Sequence, residues 1–285
     1  MLYLILSIIC ATALVVLFRL FDKWKINSTH AIVFNYIFCV LTGLIFVDDF
    51  SVFPKMIQWN GFPIVVLLGF AFILIFLLVG KTALSLGVVT ASIAMKLSFV
   101  IPVSVAIILY NDSITALKII GIICAIIAVY LIAYENESKQ EASTRALIYP
   151  FLIFIGSGLC DTAFNYIQKK MMPTNWDHQV TIGVFAAAMV LGILLHFRDK
   201  KLYQWKNVLA GIILGIPNYF SLYFLLKTLS TLPWQSSVIF PVNNLGIVCL
   251  SAFIGFIIYK EAFNTRKSIG FILAISSIII IGFIA

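Results

Sequence analysis

The residues able to do chemistry here are polar side chains set inside long apolar runs. Lys96 stands deep in one of them, in Ala91-Ser-Ile-Ala-Met-Lys96-Leu-Ser98. An ammonium at bilayer depth is costly unless it faces a cavity or a partner, so such charges mark pathways by default. Facing a cavity, Lys96 would attract a carboxylate or phosphate on a substrate, with Ser92 one turn away on its face. The structural alternative is snorkelling or an internal ion pair. Asp161 lies in another run with Ser157, Asn165 and Gln168, spaced i−4, i, i+4 and i+7. That spacing predicts one polar stripe on an otherwise apolar helix. Asp161 would carry a proton, bind a substrate amine or partner Lys96; a helix–helix hydrogen-bond network is the competing reading.

A third cluster reads Trp234-Gln-Ser-Ser237-Val-Ile-Phe-Pro241-Val-Asn243-Asn244. Ser237, Asn244 and Ser251 share a face at i, i+7 and i+14. Pro241 removes a backbone donor and clashes with the preceding turn. The freed carbonyl and the two Asn amides form a candidate binding point near mid-membrane; a packing kink satisfied internally is the alternative. Pro102 gives the helix of Lys96 a similar weak point. Asn218, Ser221 and Tyr223, beside Pro217, would add donors and an aromatic contact to the same cavity. Phe70, Phe72 and Phe76 are expected to pack in the core or face lipid. Enzyme signatures are missing. His30, His178 and His196 sit near separate helix ends without metal-ligand spacing. Ser157 between two glycines has no helically placed base, and no Walker A motif occurs. No cofactor is implied.

These residues must be positioned by membrane helices. Of 285 residues 62% are hydrophobic and 11% charged, too little polar surface for a water-soluble globule. A membrane helix needs about 20 mostly apolar residues. Ten stretches qualify, at 2–20, 28–47, 62–80, 88–109, 115–134, 147–168, 179–197, 206–226, 234–258 and 265–284. They are continuous, not alternating, which excludes a β-barrel. The first lacks a basic n-region and a cleavage motif and reads as a membrane helix rather than a removed signal. Cys10, Cys39, Cys124, Cys160 and Cys249 all lie in apolar runs without a CxxC pair, as packing residues do. The net charge of +8 sits in the gaps between runs. It therefore points to topology and lipid headgroups, not to nucleic acid.

The most polar stretch, 136–146, leaves five apolar segments on each side, 1–135 and 147–285. The halves repeat. Tyr110, Asp112, Lys118, Ile120 and Gly121 match Tyr259, Glu261, Lys267, Ile269 and Gly270; upstream, Lys81-Thr82 matches Lys227-Thr228 and Gly69 matches Gly215. Five helices is an odd number, so the second copy enters the membrane from the opposite side. Inverted-topology repeats of this kind are the architecture of many secondary transporters.

With its ten helices, its repeat, an acid after the fourth helix of each half followed nine positions later by Gly (Asp112/Gly121, Glu261/Gly270), and a Pro within each fourth helix (Pro102, Pro241), the chain resembles the drug/metabolite transporter superfamily in its ten-helix EamA-like form. The resemblance covers essentially the whole chain. Asp112 stands where Glu is commoner, and Pro102 and Pro241 lie at unequal distances from their acids. The resemblance implies a bacterial cytoplasmic membrane protein that exports or exchanges metabolites such as amino acids, nucleotide sugars or drugs. Asp112 and Glu261 are expected to be structural, capping the next helix or pairing with Lys118 and Lys267.

The gaps after odd-numbered helices hold thirteen Lys and Arg, those after even-numbered helices five. The positive-inside rule then places both termini outside; the resemblance implies both inside. The reading is an all-α integral membrane protein, ten transmembrane helices in two inverted five-helix repeats, working by alternating access on a small polar substrate, amino-acid-like or anionic. The proton is a candidate coupling ion, membrane lipids are partners, and monomer and homodimer stay open. The runner-up is a flippase of a lipid-linked sugar or phosphate.

Overall fold

The computed structural model describes residues 1–24, 26, 28–47, 49–86, 88–110, 112, 114–133, 148–196, 204–259 and 265–281. Glu261 and the polar segment 136–146 lie outside them. Among the described residues there are twelve α-helices and no strand: α1 Leu2–Lys23, α2 Ser28–Phe46, α3 Val52–Gln58, α4 Phe62–Leu86, α5 Val88–Leu97, α6 Val100–Tyr110, α7 Ala116–Ala133, α8 Ile148–Tyr166, α9 Asp177–His196, α10 Trp205–Thr231, α11 Ser236–Tyr259 and α12 Thr265–Ile279. Six segments are long and apolar enough to cross a bilayer: Phe62–Val79, Ile93–Tyr110, Ile148–Met171, Asp177–Leu195, Trp205–Thr231 and Ser236–Ile257. Shorter apolar helices occupy Leu2–Phe18, His30–Phe46, Ala116–Leu131 and Ser268–Ile279. The described residues are all-helical, with six segments whose length and composition suit a membrane, where backbone hydrogen bonding must be satisfied within the chain.

Two features depart from the ten expected stretches. The short α3 stands in the gap after the second. The fourth stretch is broken into α5 and α6 at Ser98–Phe99. Pro102 causes the break. It has no N–H for the carbonyl of Ser98, four residues earlier, and its ring clashes there. The Ser98 carbonyl instead accepts the Ile101 N–H at 3.0 Å, a tighter turn, and the Ser98 hydroxyl donates to the Met95 carbonyl at 2.6 Å. Pro217 and Pro241, by contrast, lie inside continuous helices.

The chain forms two compact units. Unit 1 is Met1–Phe76 with Ala163–Thr231; unit 2 is Leu77–Thr162 with Leu232–Ala285. Each draws on both halves of the sequence, and the boundaries fall within α4 and α8.

In unit 1, α10 packs against α1 and α2, and α2 also against α9. Gly211 and Gly215, four residues apart, allow the close approach to α2. A methyl group at 211 would meet the Phe34 side chain and stand 2.8 Å from the Phe34 carbonyl carbon; one at 215 would stand 3.0 Å from the Asn35 oxygen. Small residues at this spacing let membrane helices pack backbone to backbone. Phe72 and Phe76 are half-buried: Phe72 packs on Phe164 and Phe185, and Phe76 on Tyr36. In unit 2, α7 packs on α12, and α11 on α6 and α7. The Ser277 hydroxyl donates to the Gly121 carbonyl at 2.7 Å, and a side chain at 121 would run into Ile281. Gly121 and Gly270 are both buried.

Candidate functional site

In unit 2 the break at Ser98 decides where Lys96 sits. It occupies the last turn of α5, four residues before the start of α6. A helix C-terminus carries partial negative charge, which favours a cation there. Asp161 comes from α8. Gly158, three residues earlier, lets α8 approach α6, since a Cβ at 158 would stand 2.5 Å from Ile101 Cδ1. The Thr162 hydroxyl folds back onto the Gly158 carbonyl at 2.7 Å, which leaves that face clear of its own polar group. Lys96 and Asp161 lie close enough for their charges to act on each other. Neither forms an ion pair or hydrogen bond with a described residue, and both are half-buried. Opposite charges at membrane depth, near but not joined, can each take a group of a ligand. Ser92 shares α5 with Lys96, but its side chain lies outside what the structure describes.

The ninth stretch behaves differently from its expected role at one position. Ser237 is not free for a ligand. Its backbone N–H and hydroxyl both donate to Asp112 Oδ2, at 3.1 and 2.7 Å. Asp112 thus caps α11, a helix 125 residues away, and supplies the negative charge that a helix N-terminus favours. It does not cap the following helix; Thr115 does, accepting the Lys118 N–H at 3.1 Å. Lys118 lies beside Asp112 electrostatically, is only 1% exposed, and donates to Gln235 Oε1 at 2.5 Å. Further along α11, Asn244 Nδ2 donates to the Phe240 carbonyl at 3.2 Å, whereas buried Asn243 Oδ1 has no donor among the described residues. Asn243 therefore keeps an acceptor that a ligand can use.

In unit 1, Asn218 of α10 donates to Asn35 Oδ1 of α2 at 3.2 Å, and buried Asn35 Nδ2 has no acceptor among the described residues. Cys39 contacts the same oxygen at 3.6 Å and the Gly215 carbonyl at 3.3 Å. Asn35 was not among the expected site residues. Tyr223 stacks on His178 with ring centroids 4.0 Å apart, and His178 Nδ1 meets the Tyr219 hydroxyl at 2.6 Å. Next to them Lys227 pairs with Asp177 at 3.0 Å. His178, set aside for lacking metal spacing, is thus part of a polar and aromatic cluster joining α9 and α10. Asn165 is buried and engaged. Gln168 lies in the π-helical turn Ile167–Met171 that follows α8, and its buried Oε1 has no donor among the described residues.

No protein-family model matches the chain. A curated protein of Haemophilus influenzae (strain ATCC 51907 / DSM 11121 / KW20 / Rd), described as uncharacterized, is 26% identical over 288 residues, covering 96% of this chain and 95% of that one. A crystal structure of another protein is similar with a TM-score of 0.80, over 100% of this chain and 96% of its own, at 11% identity. At that identity the likeness concerns the fold alone.

Proposed function

We propose that the chain is a secondary transporter of a small zwitterionic or anionic metabolite, working by alternating access. The observation that carries this is the Lys96–Asp161 arrangement: two opposite charges at membrane depth, in mutual range yet bonded to no described residue. An ion pair built for stability would close up; this one leaves room for a substrate carboxylate at Lys96 and an amine or proton at Asp161. The discontinuous fourth helix supports the same reading. Broken helices whose ends point at charged groups are how transporters build midplane sites. Asn243 adds a buried acceptor within the same unit.

Ten spans in two inverted repeats is the topology that goes with this function. The six long segments and four shorter apolar helices fall on the ten apolar stretches. Within unit 1, gaps that an alternating chain would place on one side do meet. Trp59 donates to the Met171 carbonyl at 3.0 Å and packs on Trp176, Gln179 donates to the Asp49 carbonyl at 3.4 Å, and Lys227 reaches Asp177. These are the gaps after the second, sixth and eighth stretches. The end of α1 and the start of α10 meet as well, beneath Trp24 and Trp205. The repeat signature and a bacterial cytoplasmic membrane, with the drug/metabolite transporter superfamily as the kin, complete the proposal.

The test is thermal unfolding of the detergent-purified protein against amino acids, small carboxylates and lipid-linked phosphates. A ligand that binds only the folded state raises the midpoint as its concentration passes its Kd. A soluble zwitterion or anion that stabilises the wild type, and Lys96→Ala less, supports the transporter. Stabilisation by lipid-linked phosphates alone would overturn it in favour of a flippase.

A further inference from the structure

We propose that a groove at one end of unit 1, between the end of α1 and the start of α10, holds an anionic phospholipid. The groove has a volume of about 340 Å³ and is lined by Phe21, Trp24, Ile26, Trp205, Lys206, Leu209, Ala210 and Ile213. That volume lies at the small end of ligand sites, enough for part of an acyl chain and its glycerol linkage. Its floor is firm. Phe21 and Ala210 are fully buried and belong to a packed cluster with Ala31 and Leu214. Its walls are exposed: Trp24 by 49% and Trp205 by 67%, with Leu209 and Ile213 nearly half open.

The order of chemistry along α10 is that of a lipid leaflet. Trp205, Leu209 and Ile213 are spaced by four residues, so they form one stripe that descends about 12 Å along the helix. Lys206 stands at the mouth, indoles beside it, and aliphatic side chains below. Ammonium groups belong at the phosphate level, Trp rings at the headgroup boundary, and Leu and Ile among the acyl chains. Lys206 makes no ion pair, and neither indole N–H has a partner, among the described residues. Three donors are thus left to meet phosphate and ester oxygens. The sequence favours an anionic headgroup over a zwitterionic one. By sequence, segments 19–25 and 198–206 together carry seven Lys and Arg against two Asp, a positive balance that favours anionic lipid; of the seven, Lys206 is the one whose side chain the structure describes. A lipid here would tie α1 to α10 within unit 1, whereas Lys96 and Asp161 belong to unit 2, so the proposal stands apart from transport.

Native mass spectrometry of the full-length protein, incubated in detergent with equimolar phosphatidylglycerol and phosphatidylcholine, tests it. The wild type is expected to retain phosphatidylglycerol preferentially. Lys206→Gln should cut that retention about five-fold, the effect of one surface cation, with phosphatidylcholine little changed. Ile213→Trp, which fills the groove from an exposed position and leaves the core intact, should reduce retention of both lipids. Equal retention of the two lipids by the wild type would overturn the proposal, as would retention unaffected by Lys206→Gln and Ile213→Trp. Inorganic phosphate should not displace the lipid; displacement at millimolar phosphate would make this a free-anion site and overturn the lipid assignment.

Discussion

Removing the carboxylate of Asp112 should unlock unit 2. Asp112 is 7% exposed and accepts two hydrogen bonds from Ser237, one from the backbone and one from the hydroxyl. Hydrogen bonds to a charged group contribute about 1.5–3 kcal/mol each, and an anion at a partly buried helix N-terminus up to about 2 kcal/mol. Lys118, almost fully buried, lies within electrostatic range, so removing the carboxylate also takes an opposite charge away from a buried cation. These contributions overlap, so Asp112→Ala should destabilise by about 3–5 kcal/mol. Asp112→Asn keeps an acceptor and loses the charge, at a cost of about 1–2 kcal/mol. Ser237→Ala loses one hydrogen bond and keeps the backbone donor, at about 1 kcal/mol. The assay is unfolding in mixed detergent micelles, followed by far-UV circular dichroism. A cycle with Lys118→Met sharpens it: the Asp112→Asn/Lys118→Met pair should cost less than the sum of the singles, because removing both charges leaves neither uncompensated. Wild-type stability of Asp112→Ala, or strict additivity in the cycle, would refute the capping argument.

Three further outcomes follow from the packing. Gly211→Ala should destabilise by about 1–2 kcal/mol, overpacking against α2 of about 1–3 kcal/mol being partly offset by the better helix propensity of Ala; an unchanged unfolding midpoint would contradict the close approach at Phe34. Lys227→Met leaves the buried Asp177 carboxylate without its cation and should cost about 1–3 kcal/mol, discounted because Lys227 is partly exposed; equal stability would mean that the pair is incidental. Pro102→Ala restores the donor for the Ser98 carbonyl and should fuse α5 and α6. It should leave stability equal or higher while slowing transport several-fold, measured as uptake into proteoliposomes, and an unaffected rate would separate the break from function.

The helices were legible because lipid forces one pattern: about 20 apolar residues with charges pushed into the gaps. The four shorter apolar segments, Leu2–Phe18, His30–Phe46, Ala116–Leu131 and Ser268–Ile279, are still helical where the sequence placed them. The break at Ser98 was not legible as a break. Pro102 signals a kink, but its effect falls four residues upstream, and a serine there that bonds its own helix carries no distinctive pattern. The two units were hidden as well, since each draws on both halves of the sequence and depends on packing between distant segments. Lys96 and Asp161 stood out because any charge at that depth does. The job of Ser237 was invisible because its partner is in the other half of the chain. The spacing around His178 carries no metal signal, and its partners, Tyr219 and Tyr223, lie a full helix later. Asn35 could have been found: a lone amide in the second apolar run carries the same signal as Asn218.

The most direct test of the central claim is substrate uptake into proteoliposomes by Lys96→Gln and Asp161→Asn, with a radiolabelled panel of zwitterionic amino acids and small carboxylates. Losing a charged hydrogen bond of about 1.5–3 kcal/mol corresponds to roughly a ten- to hundred-fold fall in apparent affinity. The account predicts that fall for Lys96→Gln with unfolding midpoints close to wild type, and loss of amine-bearing substrates or of proton dependence for Asp161→Asn. Wild-type uptake of every substrate by Lys96→Gln would contradict it.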